Sequence, residues 1–312
     1  PATGTAGNAH KWDAAGGNGQ GWEIALLPGG AVALHGIYGG SVGFPVPLPP
    51  VPSNGEGAYL ARIDPSTGVV ADSLGLVGNA ADTLVTPGPI ATTPSGELCM
   101  LGAYEGDVTV FGMPLSANGQ FDAFIARLAP SGSLRYVVPI VGPASESSFG
   151  NGAILATDAA CVAAVQIGST ATVGGKSVGG RGGTDVALIV IDNAGTVESA
   201  LTVDGAGNDD VGDLLALGDR WFVALDYTGL VNVAGQTLNP SDADAAVLEF
   251  DATQLVSVAL ELSGAGSQTF PKLGHIDDAT LGVGVHSTGP LDIEGQAFDS
   301  TLQTFVLTAL GL

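Results

Sequence analysis

Apolar and polar residues alternate in short runs along the whole chain, and Gly, Pro, Asn and Ser punctuate the runs. Period-two alternation over about 4–8 residues between turn residues predicts β-strands. No stretch carries the spacing of an amphipathic helix. In the best-formed stretch the pattern predicts strands over 89–93, 97–104, 123–128 and 134–140, with turns at Pro94-Ser95-Gly96 and Pro130-Ser131-Gly132. The second of these strands is expected to continue past Gly106 through 108–110. Leu98-Cys99-Met100-Leu101 and Phe222-Val223-Ala224-Leu225 are apolar at every position, as strands covered on both faces must be.

The runs repeat. Asp122-Ala-Phe-Ile-Ala-Arg-Leu-Ala-Pro-Ser-Gly132 returns in altered form as Gly57-Ala-Tyr-Leu-Ala-Arg-Ile-Asp-Pro-Ser-Thr-Gly68 and as Asp185-Val-Ala-Leu-Ile-Val-Ile-Asp-Asn-Ala-Gly195. It returns again from Asp244 to Asp251 and from Gln303 to Leu310, roughly every 60 residues. A second column, apolar-x-apolar-x-Gly-x-x-apolar, keeps the same register at Val108–Leu115, Ala171–Val178, Val231–Leu238 and Leu291–Phe298. The first copy, from Val42, is degenerate and carries a proline-rich insert, Pro45 to Pro52.

Four antiparallel strands per unit, repeated about an axis, predict an all-β, five-bladed β-propeller forming a single domain. The units span approximately 13–76, 77–140, 141–203, 204–262 and 263–312 plus 1–12. The last unit stops after its third strand, and Ala6-Gly7-Asn8-Ala9 matches Val77-Gly78-Asn79-Ala80, which follows a fourth strand elsewhere. An N-terminal strand from residues 1–8 is therefore expected to close the last blade. The alternative, an open solenoid of β repeats, needs polar capping units, and none is visible.

These columns resemble the SBBP-type β-propeller repeat of bacterial secreted and cell-surface proteins. Asp122 to Gly132 and Gly57 to Gly68 match its third-strand motif, with Arg where Lys is usual. Gly183 to Gly195 matches with Val190 at the basic position, and Asp204 to Gly212 matches its Gly-rich acidic loop. The resemblance covers nearly the whole chain and weakens in the last unit. It implies a surface or secreted propeller and carries over no catalytic residue.

Charge and composition narrow the function. With 8 Lys and Arg against 31 Asp and Glu, the net charge is −23. Eight bases cannot neutralise a phosphate backbone, so nucleic acid is excluded as a partner. A 45% hydrophobic fraction excludes a disordered acidic chain. No apolar run reaches the roughly 18–20 residues that span a bilayer. The chain begins at Pro1, so either an export signal has been removed or numbering starts inside a longer precursor. The acidic, Gly-rich, Lys-poor composition suits an extracellular or cell-surface protein of a bacterium. Oligomeric state is not specified by these features. Cys99 and Cys161 share one column in adjacent units. Packed sheets lie about 10 Å apart and a disulfide needs Cα atoms within about 7 Å, so buried free thiols are expected.

Several residues are candidates for chemistry. Asp204, Asn208, Asp209, Asp210 and Asp213 place hard oxygen donors in one Gly-rich stretch and could hold Ca2+; no other cofactor is implied. Tyr38, Tyr104 and Tyr227 share a column at the end of the second strand, and Trp12 sits in a Gly-rich loop. These four are the candidate ligand-binding aromatics. Gly39–Gly43 imitates a nucleophile elbow, and Gly174-Gly-Lys176-Ser177 a phosphate loop. Both lack the helix such motifs require and are read as turns. His10, His35, His275 and His286 form no column. The expected function is a non-catalytic extracellular or cell-surface binding or structural module for a protein or carbohydrate. The alternative is a glycoside hydrolase or lyase with carboxylates at the axial mouth. Its first-strand acids would come from Glu23, Asp158, Asp213 and Asp277 or Asp278, which fall at unlike positions along their strands, and the second unit offers none.

Overall fold

The computed structural model describes residues 12, 14–15, 19–52, 55–80, 83–146, 152–293, 295–298 and 304–311. Within them the chain is all-β, every strand pairing is antiparallel, and the only helical element is a 3-10 turn over Pro28–Gly30.

A two-stranded pair, β1 (Ala14–Ala15) with β4 (Ser41–Val42), precedes the larger sheets. Sheet I contains β2 (Gly19–Leu26), β3 (Val32–Tyr38), β5 (Gly57–Asp64) and β6 (Val69–Gly78), and its outer edge carries β9 (Asp107–Val110) and β10 (Met113–Ser116). Sheet II contains β7 (Leu84–Thr92), β8 (Leu98–Glu105), β11 (Asp122–Leu128) and β12 (Leu134–Val141), followed by β15 (Ala171–Val173) and β16 (Lys176–Val178). Sheet III contains β13 (Gly152–Ala156), β14 (Ala160–Ile167), β17 (Asp185–Asp192) and β18 (Val197–Gly205), followed by β21 (Val231–Val233) and β22 (Gln236–Leu238). Sheet IV contains β19 (Asp209–Leu217), β20 (Arg220–Tyr227), β23 (Asp244–Phe250) and β24 (Leu255–Ser263), followed by β27 (Leu291–Ile293) and β28 (Gln296–Phe298). Sheet V contains β25 (Gln268–Asp277), β26 (Thr280–Ser287) and β29 (Thr304–Gly311). The strand expected from residues 1–8 lies outside the described residues.

The core lies between successive sheets, which is why the middle strands are apolar on both faces. Leu60 and Leu76 of sheet I pack with Met100 and Phe124 of sheet II. Ile125 of sheet II packs with Val165 and Ile189 of sheet III. Leu188 and Val190 pack with Leu225 and Leu248, and Phe222 and Val247 with Leu281 and Val283. The first strands of neighbouring sheets also lie against one another, β2 by β7, β7 by β13, β13 by β19 and β19 by β25.

Two expectations are corrected. The segment after Gly106 does not extend its own unit's second strand. It turns into a hairpin, β9–β10, that adds to the preceding sheet through Val77 opposite Thr109 and Gly78 opposite Val108. The second repeat column is thus a column of hairpins that stitch each unit to the sheet before it. Their turns hold positive φ at both central residues, Phe111 (49°) with Gly112 (85°) and Ala234 (50°) with Gly235 (81°). That geometry matches the twist of the two strands. The second correction concerns the cysteines. Cys99 and Cys161 form a disulfide between sheets II and III, with Cα atoms 5.8 Å apart. Their cross-strand neighbours are Ala91 and Ala156, and Ala123 and Ala163 lie in the same cluster. Small side chains let the two sheets approach well inside the usual spacing.

Candidate functional site

The first strands of four sheets break register at one level. The breaks fall between Gly21 and Glu23, Pro87 and Ile90, Val211 and Asp213, and Thr269 and Lys272. A bulge re-aims the residue that follows it and strands a main-chain N–H. The re-aimed residues are Glu23, Asp213 and Lys272, which sit opposite His35, Ala224 and Gly284. Each partner lies three residues before the residue that pairs with the start of the third strand. Glu23, Asp213 and Lys272 therefore occupy one structural position in sheets I, IV and V, which corrects the expectation that Glu23 and Asp213 fall at unlike positions along their strands.

Each of these side chains reaches the neighbouring backbone. Glu23 Oε2 accepts the Ile90 N–H at 2.9 Å, crossing from sheet I to sheet II. Asp213 Oδ2 accepts the Leu273 N–H at 3.0 Å, crossing from sheet IV to sheet V. Lys272 returns the contact by donating to the Gly212 carbonyl. Burial raises the Glu23 pKa, the Ile90 N–H opposes that rise, Asp213 adds to it, and Lys272 lowers it. The three charged groups thus feel one another where the first strands converge.

Lys272 also borders a cavity of about 500 Å3, lined in part by Asp210, Asp226, Thr228, Thr269 and Phe270. Asp210 and Asp226 stand directly opposite each other on β19 and β20, which places their Cβ atoms about 4.5–5.5 Å apart. The Gln166 amide donates to Asp210, and Asp226 Oδ2 accepts the Phe270 N–H at 3.0 Å. Burial raises both carboxyls; Asp226 reaches about 6, with the Phe270 N–H opposing and Asp210 adding to the rise. Phe270 holds a φ of 54° and leaves its side chain 72% exposed. The arrangement offers hydrogen-bond acceptors, a cation and an aromatic face around one concavity.

The residues singled out from sequence are distributed differently. Tyr38, Tyr104 and Tyr227 do share one structural position, each opposite the first residue of a third strand. All three are fully buried, with the Tyr38 hydroxyl on the Pro49 carbonyl and that of Tyr227 on Glu261. They fill space between sheets rather than facing a ligand. Trp12 packs edge-on against Phe44, ring centroids 5.9 Å apart.

The five candidate Ca2+ donors do not face one point. Asp204 accepts from Arg181 and Asn208 from Thr184; Asp209 is buried beside Asp185, Asp210 faces Gln166, and Asp213 faces Leu273. Alternation along β19 sends Asp209 and Asp210 to opposite faces. Among the described residues no group of three or more His, Cys, Asp or Glu could hold a metal ion. Asp158, Asp277 and Asp278 are exposed; Asp158 accepts from Ser95, and Asp277 from the Ala279 N–H in its own turn. They do not join Glu23 and Asp213.

The kinship of Glu23, Asp213 and Lys272 was missed because the three side chains differ in kind and each follows a register break that interrupts the alternation of its strand. The usable signal was the bulge-prone pair of glycines, Gly21 and Gly212, just before the two acids.

No family model and no curated protein sequence matches the chain. Among solved structures it is similar to a mutant of the Synechocystis apocarotenoid oxygenase at 13% identity and a TM-score of 0.35, covering 93% of this chain and 59% of that one. The chain thus spans under two thirds of that protein's length.

Proposed function

We propose that this chain is a five-bladed β-propeller of the SBBP type that works as a non-catalytic binding module outside the cell, with a carbohydrate as its ligand. Five successive sheets with core between each pair, first strands side by side, and five sequence units support the propeller. The Cys99–Cys161 disulfide supports an oxidising, extracellular location.

The observation that carries the binding role is the cavity at Asp210, Asp226, Thr228, Lys272 and the exposed Phe270. Sugars are held by hydrogen bonds to carboxylates and hydroxyls beneath an aromatic face. A concavity of this size suits a mono- or disaccharide better than a flat protein surface. The strong negative charge favours a neutral or amino sugar over an acidic one. Glu23, Asp213 and Asp226 each hold a main-chain N–H, so their first task is structural.

A glycan array followed by calorimetric titration tests this. Binding of one sugar class that falls at least tenfold in Phe270→Ala and in Asp226→Ala supports it; no binding, or binding of a protein at another face, overturns it. The opposed Asp210 and Asp226 favour one second reading, a glycoside hydrolase, since closely spaced carboxyl pairs serve retaining enzymes. Turnover of the bound sugar that disappears in both Asp210→Asn and Asp226→Asn would establish that reading instead.

A further inference from the structure

A buried contact recurs where each sheet meets the next. The residue entering the next unit donates its main-chain N–H to the carbonyl just before the preceding third strand. The pairs are Val85 to Glu56, Glu146 to Phe121, Asp209 to Thr184 and Gln268 to Ala243. Val85, Glu146, Asp209 and Gln268 are therefore equivalent, and all are fully buried. The third strands beside them begin with Gly57, Asp122, Asp185 and Asp244 in the same order. By position, an acid at the start of a third strand is thus matched with an acid or an amide, and the one glycine with a valine.

The second-to-third-sheet junction shows the chemistry most plainly. Asp122 is a well-satisfied carboxylate: Oδ2 accepts the Asn118 N–H at 2.6 Å and Oδ1 accepts the Gly142 N–H at 3.0 Å. Glu146 is fully buried and neither of its carboxyl oxygens has a donor. It packs so closely on Gly142 that a Cβ there would collide with the Glu146 carboxyl. The groups facing the pair are Tyr104 from β8 and, from β14, the uncharged Ile167 that bridges to Glu146. Among the described residues no cation acts on Glu146. Two carboxylates in contact without a cation cannot both ionise. A proton between them satisfies both at once.

We propose that Glu146 is a neutral carboxylic acid that donates its proton to the carboxylate of Asp122, forming a proton-bridged clasp between the second and third sheets. Asp122 is the ionised partner because it holds two N–H donors; Glu146 is the protonated one because it holds none. At the fourth-to-fifth junction the same place is taken by Gln268, an uncharged side chain, beside Asp244. Burial, with Asp122 as a further cause, lifts the Glu146 pKa to about 8. A carboxyl raised in the folded state stabilises fully below its unfolded value near 4.5 and loses that contribution as pH climbs to about 8.

The test compares wild type with Glu146→Gln, which copies the residue at the fourth-to-fifth junction. The melting temperature of the variant should gain on that of wild type by several degrees between pH 4.5 and pH 8, the span between the unfolded and folded values. Carbon-13 NMR of glutamate-labelled wild type should show one side-chain carboxyl still protonated at neutral pH, and that signal should be missing from the variant. The wild-type spectrum decides the matter even if the variant does not fold. A spectrum with every glutamate ionised at neutral pH overturns the clasp. So does a melting difference that ignores pH, or a wild-type melting temperature raised by Ca2+ and lowered by chelator, which would place a cation between the two acids.

Discussion

Asp213 accepts the main-chain N–H of Leu273 at 3.0 Å across the gap between the fourth and fifth sheets. Glu23 does the same for Ile90 between the first and second. Both acids follow a register break, and both donors lie on first strands that are themselves broken. The bulge costs a ladder hydrogen bond, and the neighbouring carboxylate replaces it. Asp213→Ala should lower stability by about 1–3 kcal/mol, because a half-buried N–H is left unpaired. Asp213→Asn keeps an acceptor and should cost under about 1 kcal/mol. Urea unfolding of the two variants separates these outcomes.

Asp226 carries a pH dependence of its own. Burial, chiefly, lifts its carboxyl from 3.8 to about 6. Its folded-state advantage is complete below about 3.8 and is lost as pH rises through 6. Asp226→Asn retains an oxygen for the Phe270 N–H and removes repulsion with Asp210. The variant should therefore gain on the order of 1–3 kcal/mol over wild type as pH is raised from 4 to 8. Thermal melts of both proteins across that range give the answer.

Glu97 joins two arginines of very different surroundings. Arg127 is 1% exposed and lies 2.7 Å from Glu97, whereas Arg135 is 52% exposed at 2.6 Å. Arg127 also donates to the Thr157 carbonyl of the next sheet at 3.0 Å. Arg127→Ala leaves Glu97 and that carbonyl without their buried donor and should cost about 3–5 kcal/mol. Arg135→Ala removes a solvated partner and should cost less than about 1 kcal/mol. Equal losses in denaturant unfolding would refute this ranking.

The Cys99–Cys161 bridge closes a loop across 62 residues of sequence. Chain-entropy reasoning for a loop of that length gives about 4 kcal/mol of stabilisation. The Cys99→Ala, Cys161→Ala double variant should lose about that much. Reductant should destabilise wild type and leave the double variant unchanged.

Strand content was legible in the chain because alternation and turn chemistry act over a few neighbouring residues. The third-strand motif from Asp122 to Gly132 forms the expected strand, as do its copies from Gly57, Asp185 and Asp244. The shared position of Tyr38, Tyr104 and Tyr227 was legible for the same reason, since each lies at or next to the end of a second strand. Their role was not. Accessibility depends on what the next sheet brings against a residue, and it buries all three.

Local pattern determined where strands start, where they turn and which of them are covered on both faces. Tertiary structure alone decided three things. It carried the 107–116 hairpin to the preceding sheet, drew Cys99 and Cys161 within bonding reach over flanking alanines, and used bulges to set Glu23, Asp213 and Lys272 at one level. Each of these depends on the distance and register between segments far apart in sequence, and short-range alternation carries no information about either.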